Sequence, residues 1–421
     1  MSRKQSAKMA QSLTDLPPNI LIEILVRLPL KAVFVIRSVC KTLLSLATPD
    51  PHFIDLHSSN SAQILVFQFG NAYKPSHLLR LAEPELDISP RYVDNLVLKP
   101  LFQLPKMGTS FNFYRTYHQE ENKFVLANSC NGLVFFVRRH AGDERSLVCN
   151  PVTNEYLIIP GIDEKIRLDS RTKSMWLGFS PGSNQYKVLR LFTSLNVDPV
   201  EVRAQVFVIG SDSWRDLEGV PLGSDHSWDL CSAFLSGLMY WLDQSWSGII
   251  FFDFELEIFG DVAFPSEFTD EQLRNKHCMS IGVLGGCLCL GYNDFDAKHV
   301  EIWMMRKVCG DQESWNKEFV FDTVRPMGQP VLGRFKPLQF LRNGEILMLW
   351  IGNDLVCYDP KMNSLRYVGF NRLRLTPKAV ALTPSFVPLK ETLKVDEVLS
   401  RYVRPRKVMK RSYEKGRKIT Y

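Results

Sequence analysis

Three stretches of this chain share one layout, and that repetition limits its fold more than any single residue does. "NGLVFF" at Asn131 to Phe136 precedes "LVCNPVTNEYLIIP" from Leu147, "SGLMYWL" from Ser236 precedes "IIFFDFELEIFGDVAFP" from Ile249, and "NGEILMLW" at Asn343 to Trp350 precedes "LVCYDPKMNSLRYVGF" from Leu355. Each reads as glycine, strand, gap, strand, polar turn, strand, because short apolar runs are bounded by Asn, Gly, Pro and Asp. A weaker copy runs from Gly286 through "CLCLGYND" to "VEIWMM". The anchoring glycines Gly132, Gly237, Gly286 and Gly344 lie 105, 49 and 58 residues apart, and the long first gap holds a further unit, "QYKVLRLF" with "AQVFVIGSDSWRDLEGVPL". "SAQILVFQFG" and "NLVLKPLF" supply strands for one more. A degenerate repeat of about 50 residues with three or four antiparallel strands per copy predicts a mostly β chain folded as a kelch-like β-propeller of about six or seven blades. A two-sheet β-sandwich is the alternative.

The segment before the repeats is different. In "LTDLPPNILIEILVRLPLKAVFVIRSVCKTLLSLATPDPHF", residues 13 to 53, Thr14 or Asp15 caps a helix that starts at Pro17 or Pro18. Ile20, Leu21, Ile24, Leu25 and Leu28 form one broad apolar stripe, and Pro29 ends it. A second helical stretch from Leu30 to Leu46 carries Val33, Ile36, Val39, Cys40 and Leu43. So short a helical segment cannot bury that surface within itself, so either the β domain or another protein covers it.

"LTDLPPNILIEILVRLP", "LKAVFVIRSVCKTLLSL" and "PDPHF", in that order, closely resemble the F-box, the adaptor-binding module of SCF-type ubiquitin ligases. "SCNGLVFF", "CNPVTNEY", "LGFSPGSNQYKVLRLF", "VFVIGSDSWRDL", "GLMYWL" and "IIFFDFELEIF" resemble the F-box-associated interaction domain of the large plant F-box family. The resemblance implies adaptor contacts at Leu16, Pro17, Ile20, Leu21, Ile24, Leu28, Pro29, Val33, Val39, Cys40 and Lys41. Where the family usually has a tryptophan, this chain has Leu43, which implies a weaker anchor there. The expected organisation is a flexible N-terminus over 1–12, an F-box over 13–56, a propeller-like interaction domain over 57–386 and a basic tail over 387–421.

Charge and composition narrow the functions. The net charge of +6 is uneven: residues 401–421 carry nine Lys or Arg against Glu414, so this stretch is +8 and the remainder −2. Within it Arg404, Arg406, Lys407, Lys410 and Arg411 form a candidate nuclear-import cluster. Nucleic-acid binding through this tail is a rival function and the less favoured partnership, and a β-propeller interaction protein whose degraded F-box no longer docks is the other rival. The uncharged, glycine-interrupted run Met279 to Tyr292 has 14 residues, too few for a membrane helix. The start "MSRKQSAKMAQ" lacks the apolar core of a secretory signal, so the expected location is cytoplasmic, nuclear or both. Nine scattered cysteines read as reduced, buried thiols, and neither they nor the eight histidines have zinc spacing.

No enzyme motif occurs either. "GGCLCLG" lacks the ending of a phosphate loop, and "NDFDAKHVE" lacks the glycine and terminal glutamate of a calcium loop, so it reads as a solvated turn. No catalytic residue, metal or cofactor is expected. Trp176, Trp214, Trp241, Trp303 and Trp350 fall within the repeats and read as packing residues. Trp228 and Trp246, in polar contexts, are the candidate target contacts. The resulting expectation is a recruiter without bond chemistry. A Skp-type adaptor holds its F-box, a cullin scaffold and RING protein follow through that adaptor, and the β domain holds a target of unknown identity.

Overall fold

The structure is a computed structural model, and it describes residues 16–37, 53, 56, 62–70, 75–84, 88, 98–105, 124–138, 145–161, 170–194, 202–220, 232–242, 247–307, 313–323, 333–351, 355–368, 378–396 and 398–400. Their strands form six antiparallel sheets, which are the six blades of a propeller rather than the two layers of a sandwich. Blades 2 to 6 begin with Phe124–Cys130, Ser170–Ser180, Ser232–Leu235, Met279–Leu284 and Phe335–Phe340 as their innermost strands, and the chain steps outward from each. Blade 1 is composite. Its strands Ile64–Gly70, Pro75–Ala82 and Lys99–Gln103 come from the N-terminal side, and its innermost strand, Lys378–Leu382, comes from the other end of the chain. Pairing of Leu65 with Ala381 and of Phe67 with Ala379 closes the ring.

Local chemistry sets the turns. Asn150, Asp253, Asp294 and Asp359 each accept two backbone N–H bonds through the side-chain Oδ1, from the residues two and three positions on. The residue four positions on is left-handed in every case: Asn154 at φ 62°, Glu257 at 56°, Lys298 at 58° and Asn363 at 44°. An Asx side chain thus mimics the backbone turn and the chain reverses. "NDFDAKHVE" is one of these turns, between Cys287–Asp294 and His299–Lys307. At the inner hairpin of blade 2, Gly132 has φ +81°, and a Cβ there would lie 2.6 Å from the Cβ of Ser385. Glycine permits both the backbone conformation and the close passage of the returning chain.

Side chains join blade to blade. The Gln68 amide of blade 1 donates to the Phe124 carbonyl at 2.7 Å and accepts from the Leu126 N–H at 2.7 Å in blade 2. Asn128 makes the equivalent pair with Leu177 of blade 3, at 2.8 and 3.0 Å. Trp176 and Trp241 stack across blades 3 and 4 with ring centroids 5.1 Å apart, and Trp303 and Trp350 are also buried. These indoles are packing residues, as the repeat pattern predicts.

The N-terminal segment forms helix α1, Pro18–Val26, and helix α2, Leu30–Arg37. Ile22, Leu25 and Val26 of α1 join Leu30, Val33 and Phe53 in one core cluster with Ile64, Val66, Phe102, Leu126 and Phe136 of blades 1 and 2, and Leu21 is buried as well. The helices therefore rest on their own propeller through one face. This divides the stripe read from the sequence. Successive helical residues turn by about 100°, so Leu21 and Leu25 point inward while Ile20 and Ile24, one residue earlier, do not.

The other end of the chain also differs from expectation. The boundary placed between 386 and 387 falls inside a folded segment. Leu389 and Leu393 of the short helix Leu389–Leu393 are buried against Tyr186 and Ile209, and Leu399–Ser400 pairs with Tyr156 and Glu155 as a fifth strand of blade 2. Lys390, Glu391 and Lys394 give this stretch a polar appearance, but its leucines recur at helical spacing and lie on one face.

Candidate functional site

Leu16, Ile20 and Ile24 are 38%, 44% and 37% exposed beside the exposed Pro17, although all three are large aliphatic residues. Helix α1 starts where Pro17 fixes its entry and Pro18 occupies the first turn, a position where the missing N–H leaves no bond unmade. Ile20 and Ile24 are one turn apart and form a short ridge. Glu23 and Arg27 pair at 3.0 Å on the same side and give the ridge a charged border. Leu28 and Pro29 are half-buried at its end, and Val35 of α2 is exposed.

Of the adaptor contacts implied by the resemblance, Leu16, Pro17, Ile20 and Ile24 are thus open and Leu28 and Pro29 partly so. Leu21, 2% exposed, and Val33, 0% exposed, are covered by the chain itself, and Val33 belongs to the core cluster that the helices share with blades 1 and 2. Val39, Cys40, Lys41 and Leu43 lie outside the described residues, as do Trp228, Trp246 and the basic residues Arg404, Arg406, Lys407, Lys410 and Arg411.

A second feature fixes this ridge relative to the blades. After the ring-closing strand, the chain passes over blade 2, where the Asn150 Nδ2 donates to the carbonyls of Ser385 at 2.9 Å and Val387 at 3.0 Å. The Glu155 carboxylate accepts from the Leu389 N–H at 2.6 Å. Between these ties Phe386, 1% exposed, meets the ring of Phe53 at 5.4 Å and that of Phe34 at 6.4 Å between centroids. A segment distant in sequence thus anchors the helices. Sequence reading passed over it, and the available signal was "PSFVPLKETL", where two prolines bracket an aromatic ahead of a leucine pair.

The ionisable groups elsewhere serve the fold. Burial alone would raise the Glu257 carboxyl, but hydrogen bonds from Lys187 and Arg215 of blade 3 outweigh it and hold the group below its ordinary range. The Ser180 hydroxyl, then the Gly182 N–H, lower Glu255 at the same seam. For Glu301, burial is likewise outweighed by Lys317 and the Trp303 N–H. Burial pushes the thiols of Cys289 and Cys357 up to about 12, and raises Cys130 and Cys149 as well. Such thiols are protonated and unreactive near neutrality. Among the described residues no group of His, Cys, Asp and Glu is arranged to hold a metal, and no helix is long and apolar enough to cross a membrane.

Comparisons with known proteins agree with this geometry. Residues 99–357 match the model of the F-box associated beta propeller domain, and residues 13–54 match the F-box domain. "F-box protein CPR1" of Arabidopsis thaliana is 27% identical over 390 residues, covering 84% of this chain and 85% of that protein. "F-box protein At3g07870" of the same plant is 24% identical over 406 residues, covering 86% and 89%. "Putative F-box only protein 9", also from Arabidopsis thaliana, is 26% identical over 324 residues, covering 73% and 76%.

Proposed function

This chain belongs to the F-box associated beta propeller family, and from that premise we propose that it is the substrate-recognition subunit of an SCF-type ubiquitin ligase. The α1 ridge docks on a Skp-type adaptor, the adaptor connects to a cullin scaffold and its RING protein, and the propeller holds the target. The chain contributes no bond chemistry. Holding a target's lysines near a charged ubiquitin-conjugating enzyme raises their effective concentration, and proximity alone accelerates transfer.

The observation that carries this reading is the ridge. Leu16, Ile20 and Ile24 remain open although the opposite face of the same helix is fully covered. Exposed apolar residues gathered on one face suit a partner's groove. Removing a central apolar anchor from such an interface costs about 2 kcal/mol. Changing Leu16, Ile20 and Ile24 together to Ala is therefore expected to abolish capture of a Skp-type adaptor by the full chain, with the melting temperature little changed. Capture equal to the parent's would overturn the reading.

We further propose that the basic tail serves nuclear import. Changing Arg406, Lys407, Lys410 and Arg411 together to Ala is expected to move a fluorescent fusion from nucleus to cytoplasm while leaving adaptor capture intact. An unchanged distribution would reject import.

A further inference from the structure

The outermost strand of each blade is a sheet edge, and natural edges are blunted by Lys, Pro, bulges or short length because an open edge pairs with any extended chain. In blade 2 the outermost strand Glu155–Ile159 is itself paired by Leu399–Ser400. Lys99–Gln103 carries Lys99, Pro100 and a bulge, and Glu313–Asp322 carries Lys317 and a bulge. Arg215–Leu217 has three residues, and Ser364–Val368 carries Arg366. Blade 4 ends differently. Its outermost strand Ile258–Ala263 pairs with Gly248–Asp253 over six residues without a register shift, and it holds no Lys, Arg or Pro.

Alternate residues of an antiparallel strand turn their N–H and C=O to opposite sides. The Ala263 carbonyl turns outward and accepts from the Trp315 Nε1 at 2.8 Å. Phe259 and Asp261 share its register, and among the described residues no backbone group outside the sheet meets them. The strand is nonetheless firmly held. The Phe259 ring meets those of Phe252 at 4.9 Å and Trp241 at 6.3 Å between centroids, and the turn ahead of it is tied to blade 3 through Glu255 and Glu257. At its entry Leu256 is 65% exposed and Ile258 51%. Residues 247–273 hold seven Asp or Glu and no Lys or Arg. Lys187 and Arg215 match Glu257, which leaves Glu255, Asp261, Glu267, Asp270 and Glu271 as the exposed carboxylates.

From these features we infer that the edge of blade 4 takes an extended segment of the target as a fifth strand, with basic side chains toward Asp261 and its neighbouring carboxylates and apolar side chains over Leu256 and Ile258. This rests on the recruiter reading and names the chemistry of what is recruited. The main chain supplies the pairing and the charge supplies the choice of sequence. Leu399–Ser400 on blade 2 shows that an edge of this propeller accepts a fifth strand. A second copy is the poorer occupant, because it would set an equally acidic strand against this one, and like charges across a strand pair repel.

The test pans a displayed library of random linear peptides against the full chain, then titrates the enriched peptides, made synthetically, into the parent and into Asp261→Pro, Asp261→Lys and Met362→Ala. Asp261→Pro removes an outward N–H and leaves the ladder to Gly248–Asp253 in place. Asp261→Lys keeps the backbone and inverts the charge at an exposed position, so its melting temperature is expected to match the parent's and lost binding cannot be ascribed to unfolding. Met362→Ala is the control, an exposed apolar residue in the corresponding turn of blade 6 beside Lys361. The expected result is a surplus of Lys and Arg among the enriched peptides and slower amide exchange at residues 258–263 when they bind. Both substitutions at Asp261 are expected to weaken binding about tenfold or more, and Met362→Ala to leave it unchanged. Absence of enrichment, enrichment without basic residues, unslowed exchange, basic peptides that bind Asp261→Lys as tightly as the parent, or an equal loss in Met362→Ala would overturn the inference. So would edge amides already protected in the free chain, or a dimer by light scattering that Asp261→Pro dissolves, since either gives the edge to this chain or its copy. Adaptor capture is scored separately on the same proteins. Its failure in the parent would reject the ligase role while leaving the peptide result to be judged alone.

Discussion

Two short helices rest on this propeller, both entered through proline and both without a side-chain cap at the N-terminus, yet they use their apolar residues differently. Leu389–Leu393 buries both its leucines, and Glu155 holds its first N–H. Helix α1 buries Leu21, Ile22, Leu25 and Val26 and still presents Ile20 and Ile24, with Leu16 just ahead of it. The first helix has as much apolar surface as the fold can cover. The second has a surplus, and the surplus is gathered on one face beside the Glu23–Arg27 pair. Apolar surface in excess of what packing consumes, confined to one ridge, distinguishes a docking element from a structural one.

The sharpest way to break this comparison is to remove the residue that holds the N-terminal helices in place. Phe386→Ala deletes a buried ring between Phe34 and Phe53, and such truncations cost about 3–5 kcal/mol. The expected outcome is faster amide exchange across residues 18–37 with lesser change in blades 4 and 5. Uniform exchange across the chain would mean that the helices and the ring do not open separately.

A second pair of substitutions contrasts the two faces of α1 directly. Leu21→Ala is expected to destabilise the chain by about 2–5 kcal/mol in denaturant melts, since its site is closed. Ile24→Ala is expected to cost under about 1 kcal/mol in the same melts while weakening adaptor capture. Equal stability losses would erase the distinction between a packing face and a docking face.

The smallest expected effect concerns the seams. Glu255, Glu257 and Glu301 all have folded-state values below their ordinary range, so their contribution to stability is present above the unfolded carboxylate value, about 4.3, and is lost as pH falls through the folded values. Melting temperature should therefore fall on acidification below about pH 4, and Glu257→Gln should flatten part of that slope. An unaltered slope would place the acid sensitivity at other carboxylates.

Much of the architecture was legible because its causes are local. The Asx turns at Asn150, Asp253, Asp294 and Asp359 each complete themselves within four residues, and the glycine at 132 marks a hairpin by its own backbone requirement. Strand alternation and these turns repeat in order, so the blades can be read in sequence without knowing how they meet. Helix α1 was legible for the same reason, as a run of apolar residues between two prolines. What local pattern did not give was which half of that run stays open.

The sequence by itself therefore determined the repeating blades, the helical segment ahead of them and the residue types available for docking, all of which depend on neighbours a few positions away. Tertiary structure alone decided that Lys378–Leu382 closes blade 1, that Asn150 ties down Ser385 and Val387 across more than two hundred residues, and that Phe386 meets Phe34 and Phe53. It also decided that Leu21 turns inward while Ile20 and Ile24 do not. The physical reason is that burial is set by which distant surface arrives, and no periodicity within a segment records the position of a partner more than two hundred residues away.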